Sequence, residues 1–208
     1  MRWVLNMSAV LGPIHYWLYN KIKMQDNLVE KIINLAENQF SETDLRIQLD
    51  NNYGSLEKKP LEDMIDTSNI HGWLQERVTL VEYRLAYAVT FLLKNDPDSM
   101  DKLKGLFWNT GEEISASYSN NDAAEIFKNL NDILLDGMPC DHANLVISQD
   151  DKEVIWKRNI CVHEDYWNEV GGDIKTYYIL REEFLKGFIT GAGAVYVKLD
   201  ETTSKITK

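Results

Sequence analysis

The sequence predicts an α+β fold that is mainly α: a helical bundle followed by a small C-terminal subdomain with a β-hairpin and a further strand. Three observations carry that prediction. Apolar residues recur at helical spacing through most of residues 14–135. After Pro139 the pattern changes to short β-branched runs. A chain of 208 residues, 44% hydrophobic and 26% charged, has enough apolar material for one real core. The expected organisation is a helical region over 1–138, an α+β subdomain over 139–200 packed on it as one domain, and a frayed polar tail over 201–208.

Met1–Leu5 carries one positive charge, and Asn6 and Ser8 break the apolar run. It reads as mature protein rather than a signal peptide, which points to the cytoplasm. Gly12-Pro13 opens a helix through about Asn38, with Leu18, Ile22, Val29, Ile32 and Ile33 on one face. Ser41-Glu42-Thr43-Asp44 has capping-box chemistry for a short helix through Leu49, and Asp50–Lys59 reads as a polar loop. Pro60 starts a helical pattern to Lys94, interrupted near Thr67-Ser68-Asn69. Asp96-Pro97-Asp98 is a stop and a new start, for a helix to about Tyr118. Asp122 caps a helix over Ala123–Leu135.

Leu145-Val146-Ile147 and Val154-Ile155-Trp156, joined by polar Ser148–Glu153, form the hairpin. His163–Val170 is a short helix ended by Gly171-Gly172, and Asp173–Phe188 is another. Gly187, Gly191 and Gly193 loosen the chain before a strand over Ala194–Val197.

Two internal echoes account for every histidine and both cysteines. Ile14-His15-Tyr16-Trp17-Leu18 recurs as Ile70-His71-Gly72-Trp73-Leu74, fifty-six residues later, so residues 14–24 and 70–80 form two related helix starts. The likeness fits a duplicated helical hairpin. With Gly12 and Ser68 as caps, His15 and His71 fall at the third helical position, where the helix dipole disfavours imidazolium. They then either share a functional site or simply pack at a helix end. Trp17 and Trp73 read as core anchors.

Cys140-Asp141-His142 recurs as Cys161-Val162-His163 across the hairpin. A turn centred on Asp150-Asp151 pairs Ile147 with Val154, Leu145 with Trp156 and Cys140 with Cys161. The thiols have four readings: buried and inert, metal or cofactor ligands, a redox pair, or a nucleophile activated by His142 or His163. His15, His71, Cys140, His142, Cys161 and His163 are thus the candidate metal residues, divided between one or two clusters. Zinc or iron suits such nitrogen and sulfur donors.

Glu82 stands in an apolar stretch and needs a partner if buried, with Arg84 or Arg181 as candidates. The aromatic run from Tyr166-Trp167 to Tyr177-Tyr178 lines an apolar pocket or packs the small subdomain. A net charge of −11 disfavours nucleic-acid binding, and no apolar run is long enough to span a membrane. Three functional readings follow. The first is a metal or small-molecule site of His and Cys residues, with an enzyme left open. The second is a ligand sensor or protein-interaction module with an aromatic pocket. The third is a structural homo-oligomer with buried His and Cys.

Overall fold

The computed structural model describes residues 10–40, 42–119 and 121–208. Helix α1 (Pro13–Gln39) buries Leu18, Ile22, Val29, Ile32 and Ile33, the face that the spacing predicts. Helix α2 (Leu45–Tyr53) runs beyond Leu49 into the expected loop. Its start uses Thr43, whose Oγ1 accepts from the Leu45 N–H at 3.3 Å; Ser41 of the expected capping box lies outside the described residues.

The helix expected from Pro60 is corrected. Only a 3₁₀ turn forms over Leu61–Asp63, and α3 (Ile70–Asn95) starts where the interruption was read. Asn69 is its cap, accepting from the Gly72 N–H at 3.1 Å, which removes a first-turn orphan donor.

Helix α4 (Ser99–Ser115) continues as a 3₁₀ turn through Tyr118. Helix α5 (Ala123–Asn131) carries a capping box of Asp122 and Glu125. Strands β1 (Asn144–Gln149) and β2 (Glu153–Arg158) form the hairpin. Helices α6 (Glu164–Glu169) and α7 (Ile174–Gly191) follow, then β3 (Val195–Lys198) and β4 (Thr203–Thr207). The architecture is α+β and mainly α, with a four-stranded antiparallel sheet at the C-terminal end. No helix among the described residues is long and apolar enough to cross a membrane.

The sheet order is β1-β2-β4-β3. The tail expected to fray is therefore a central strand, with Ile206 fully buried. Its Thr and Ile residues suit a pleated surface, and both edges of its backbone are paired. Strand β3 joins the hairpin only through β4.

One glycine expected to loosen the chain tightens it instead. Gly187 lies inside α7 against α4, where a Cβ would collide with the Trp108 carbonyl. Across the same contact a Cβ on Gly111 would strike the Phe184 carbonyl oxygen. The missing side chains let two helix backbones approach closely. Phe184 and Phe188 of α7 fill the main core with Leu103 and Phe107 of α4. A second buried cluster lies under the starts of α1 and α3, around Leu18, Ile22, Leu74 and Val78.

Helices α1 and α3 pack side by side in the same direction, in the register of the echo. Leu18 and Leu74, Ile22 and Val78, Val29 and Leu85, and Ile33 and Val89 are buried at equivalent positions. The two tryptophans are half-buried rather than core anchors. Each carries a cation one turn on: Lys21 Nζ lies 3.7 Å from the Trp17 ring centroid, and the Arg77 guanidinium 4.0 Å from that of Trp73.

Candidate functional site

The parallel register brings the two helix starts to one end of the bundle. His15, His71 and Cys140 line a single pocket of about 190 Å³, walled by Ile14, Leu18, Leu74, Met138 and Pro139. His15 is the third residue of α1, and its Nδ1 accepts from the Gly12 N–H at 2.9 Å. With Nδ1 accepting, the neutral ring carries its proton on Nε2. His71 is the second residue of α3 rather than the third, because Asn69 and not Ser68 is the cap; its side chain is exposed.

The cysteines do not face each other. The register pairs Val146 with Trp156 and Gln149 with Val154, with a bulge at Ile147 between them. One extra residue shifts the ladder and flips the faces. Pairing ends at Asn144 and Arg158, so Cys140 falls in a 3₁₀ turn (Pro139–Asp141) and is exposed, while Cys161 lies beyond β2 and is half-buried. Both are free, and neither is a fully buried thiol. Tyr178 donates its hydroxyl to Cys161 Sγ at 3.0 Å. His142 is exposed, with a left-handed backbone at φ 50°. Of the six candidate ligands, His15, His71 and Cys140 share the helix-start pocket, and His142, Cys161 and His163 lie elsewhere. Among the described residues no three His, Cys, Asp or Glu side chains gather as a metal-holding group.

His163 is the cap residue of α6 and is wholly buried. Its Nδ1 lies 3.0 Å from Glu82 Oε2, and its Nε2 lies 2.9 Å from the Tyr177 hydroxyl and 3.5 Å from Asp136 Oδ1. Arg181 completes the group, donating to Tyr177 at 3.1 Å and to Asp136 Oδ2 at 2.8 Å. Burial opposes the imidazolium, but the Glu82 carboxylate and the contact with Asp136 outweigh it and lift the His163 pKa to about 9. Burial likewise opposes the Asp136 carboxylate, yet Arg181 and His163 hold it well below the usual range. Burial pushes Tyr177 well above its ordinary value, so it stays a neutral phenol. Two anions and two cations thus balance inside the protein.

Glu82 is buried as the sequence suggested, but its partner is His163. Arg84 turns away to Asp50 at 2.7 Å, and reaches Asp26 and Glu30 at 3.7 and 3.8 Å. No sequence pattern marked Asp136, which sits in an aperiodic turn. Of the expected aromatic pocket, Trp167 and Tyr177 pack in the core, and Tyr178 alone faces the cleft between α7 and the sheet.

No protein family, characterised relative or solved structure is found to match this chain. The imidazoles and the thiol of the helix-start pocket offer nitrogen and sulfur donors. Its volume is below the roughly 300–1,000 Å³ usual for a drug-sized ligand or cofactor. The His163 cluster pairs its charges internally, with His163 and Glu82 buried and Asp136 and Arg181 reaching the cleft between α7 and the sheet, an arrangement suited to joining elements.

Proposed function

We propose that this chain is a binding module to which a basic protein partner adds a strand along β1. One observation carries the reading: Leu145, Val146 and Ile147 are consecutive on an edge strand and are 58%, 42% and 55% exposed. Edge strands are normally protected by charge, proline or cover. Asn144–Gln149 contains neither a charge nor a proline. The bulge limits the ladder to short stretches, so affinity rests on these apolar side chains as well as on backbone bonds. Net charge selects the occupant. At −11 each, two copies of this chain repel, whereas a basic partner is steered towards it. The two free thiols fit a reducing compartment such as the cytoplasm.

The test uses a lysine-flanked, alternating Val-Thr peptide and its glutamate-flanked counterpart, with amide exchange and fluorescence anisotropy as readouts. Saturable binding of the lysine peptide alone, with new protection confined to 144–149 and loss in Leu145→Lys and Ile147→Lys, is expected. Concentration-dependent dimerisation abolished by the same variants would replace this reading with a homo-oligomer. Equal binding of both peptides, or protection elsewhere, would overturn it.

That His15, His71 and Cys140 line one pocket, though not close enough together to hold a metal as they stand, favours a second reading, a small ligand in the helix-start pocket or a zinc or iron ion that draws them together. Elemental analysis of untagged protein, with Cys140→Ser and Cys161→Ser alongside, decides it. About one metal per chain, lost with Cys140, supports a metal site there. A metal content unchanged in Cys140→Ser would remove that ion from this pocket.

A further inference from the structure

The sheet's inner face changes character along its length. Cross-strand partners share a face, so Val154, Ile206 and Tyr196 form one row and Trp156, Ser204 and Lys198 the next. A third row joins Arg158 to Thr202, whose carbonyl accepts from the Arg158 N–H at 2.9 Å. The first row is apolar, with Val154 and Ile206 fully buried. The last is polar and opens into a cleft against Tyr178, Arg181 and Glu182 of α7. A sheet face turned towards a helix is ordinarily apolar throughout.

The charges in this cleft are unevenly paired. Asp136 is engaged by Arg181 at 2.8 Å and Glu182 by Lys198 at 2.7 Å. Glu201 stands exposed at the rim. Arg158 has no carboxylate within ion-pair distance among the described residues, and its guanidinium lies 3.7 Å from the Tyr178 ring centroid. Stacking holds the guanidinium plane and leaves its N–H edge available for a bidentate oxyanion. In the same cleft the Tyr196 and Ser204 hydroxyls bond to each other at 3.0 Å. One of that pair donates to the other, which leaves the other's proton free for a ligand.

We infer that this cleft binds a small oxyanion, the phosphate or carboxylate head of a metabolite, through the Arg158 guanidinium and the Tyr196–Ser204 hydroxyl pair. The chain's overall negative charge does not forbid it, because screening at physiological salt acts within about 8 Å. At that range the cleft holds three arginine and lysine cations and three carboxylates, and Arg158 is the cation stacked on an aromatic ring rather than ion-paired. The site is independent of the β1 edge.

Isothermal titration of the full chain with inorganic phosphate and with acetate, against sodium chloride of equal ionic strength, tests the inference. One of the two anions should bind saturably, and which one does so identifies the head group. Arg158→Gln should weaken that binding at least about tenfold, the effect of losing one charge-assisted hydrogen bond. Arg158→Lys should recover part of it, and Arg46→Gln, whose guanidinium is paired with Glu30 far along α1, should leave it unchanged. Far-ultraviolet circular dichroism identifies any variant that fails to fold, and Ser204→Ala then serves as the second variant, with weakened binding expected. The inference is overturned if neither anion binds beyond the chloride control, or if folded Arg158→Gln binds as the native chain does.

Discussion

His163 and Glu82 meet at 3.0 Å with both side chains 2% exposed, although eighty-one residues separate them in the chain. The contact fastens the cap of α6 to the middle of α3, so a charged pair ties two helices far apart in the chain. Tyr177 and Arg181 extend the junction into α7.

Breaking one side of that junction leaves a buried charge. Glu82→Gln and His163→Gln should each cost about 3 kcal/mol in urea unfolding. The double variant should cost less than the sum of the two by more than about 1 kcal/mol. Additive and small effects would show that the pair contributes little.

The same junction sets a pH dependence. The His163 pKa rises from its ordinary 6.5 to about 9 on folding. Its contribution, about 3 kcal/mol in full, is complete below the unfolded value and is lost as pH rises through the folded one. Asp136 has the opposite sign: its pKa is depressed, so its contribution is present above the ordinary 3.8 and fades only as pH falls through the lowered value. Lys21, which burial lowers to about 8, adds stability above that pH and partly masks His163 there. Unfolding free energy should therefore fall measurably from pH 6.5 to 8, and His163→Gln should remove that slope. An unchanged slope in the variant would assign it to another group.

Gly187 and Gly105 make a matched pair of tests. Gly187→Ala drives a Cβ into the Trp108 carbonyl and should destabilise by about 2 kcal/mol in thermal or urea unfolding. Gly105→Ala, in α4 with nothing within 4 Å of the new Cβ, should stabilise by about 0.5–1 kcal/mol through helix propensity.

Thiol titration with Ellman's reagent should resolve two phases. Cys140 is exposed and should react first; Cys161, half-buried under the Tyr178 hydroxyl, should lag. Cys140→Ser should abolish the fast phase alone. A single phase in the native chain would contradict the geometry.

The two echoed histidines should differ in their effect on stability. His15→Ala removes the acceptor for the Gly12 N–H and should cost about 1 kcal/mol. His71→Gln, at an exposed position, should stay within about 0.5 kcal/mol.

The helical faces were legible from residue order because burial on a helix follows its 3.6-residue period. Leu18, Ile22, Val29, Ile32 and Ile33 needed nothing else. The caps at Gly12 and Asp122 were legible because capping too is local. The echo of Ile-His-x-Trp-Leu likewise pointed to two similar helix starts, which do meet at one pocket. The cysteine pairing was not legible, since a bulge at Ile147 leaves no signature in a run of apolar residues.

By itself the sequence determined this protein's fold class, its helical faces and most of its caps, all consequences of interactions within a few residues. Tertiary structure alone decided that the tail becomes β4, that Glu82 pairs with His163 rather than Arg84, and that Asp136 joins them. Those outcomes depend on which buried charges and unpaired strand edges come together after collapse. Such long-range partners are selected by the cost of leaving them unsatisfied, and no local spacing records that selection.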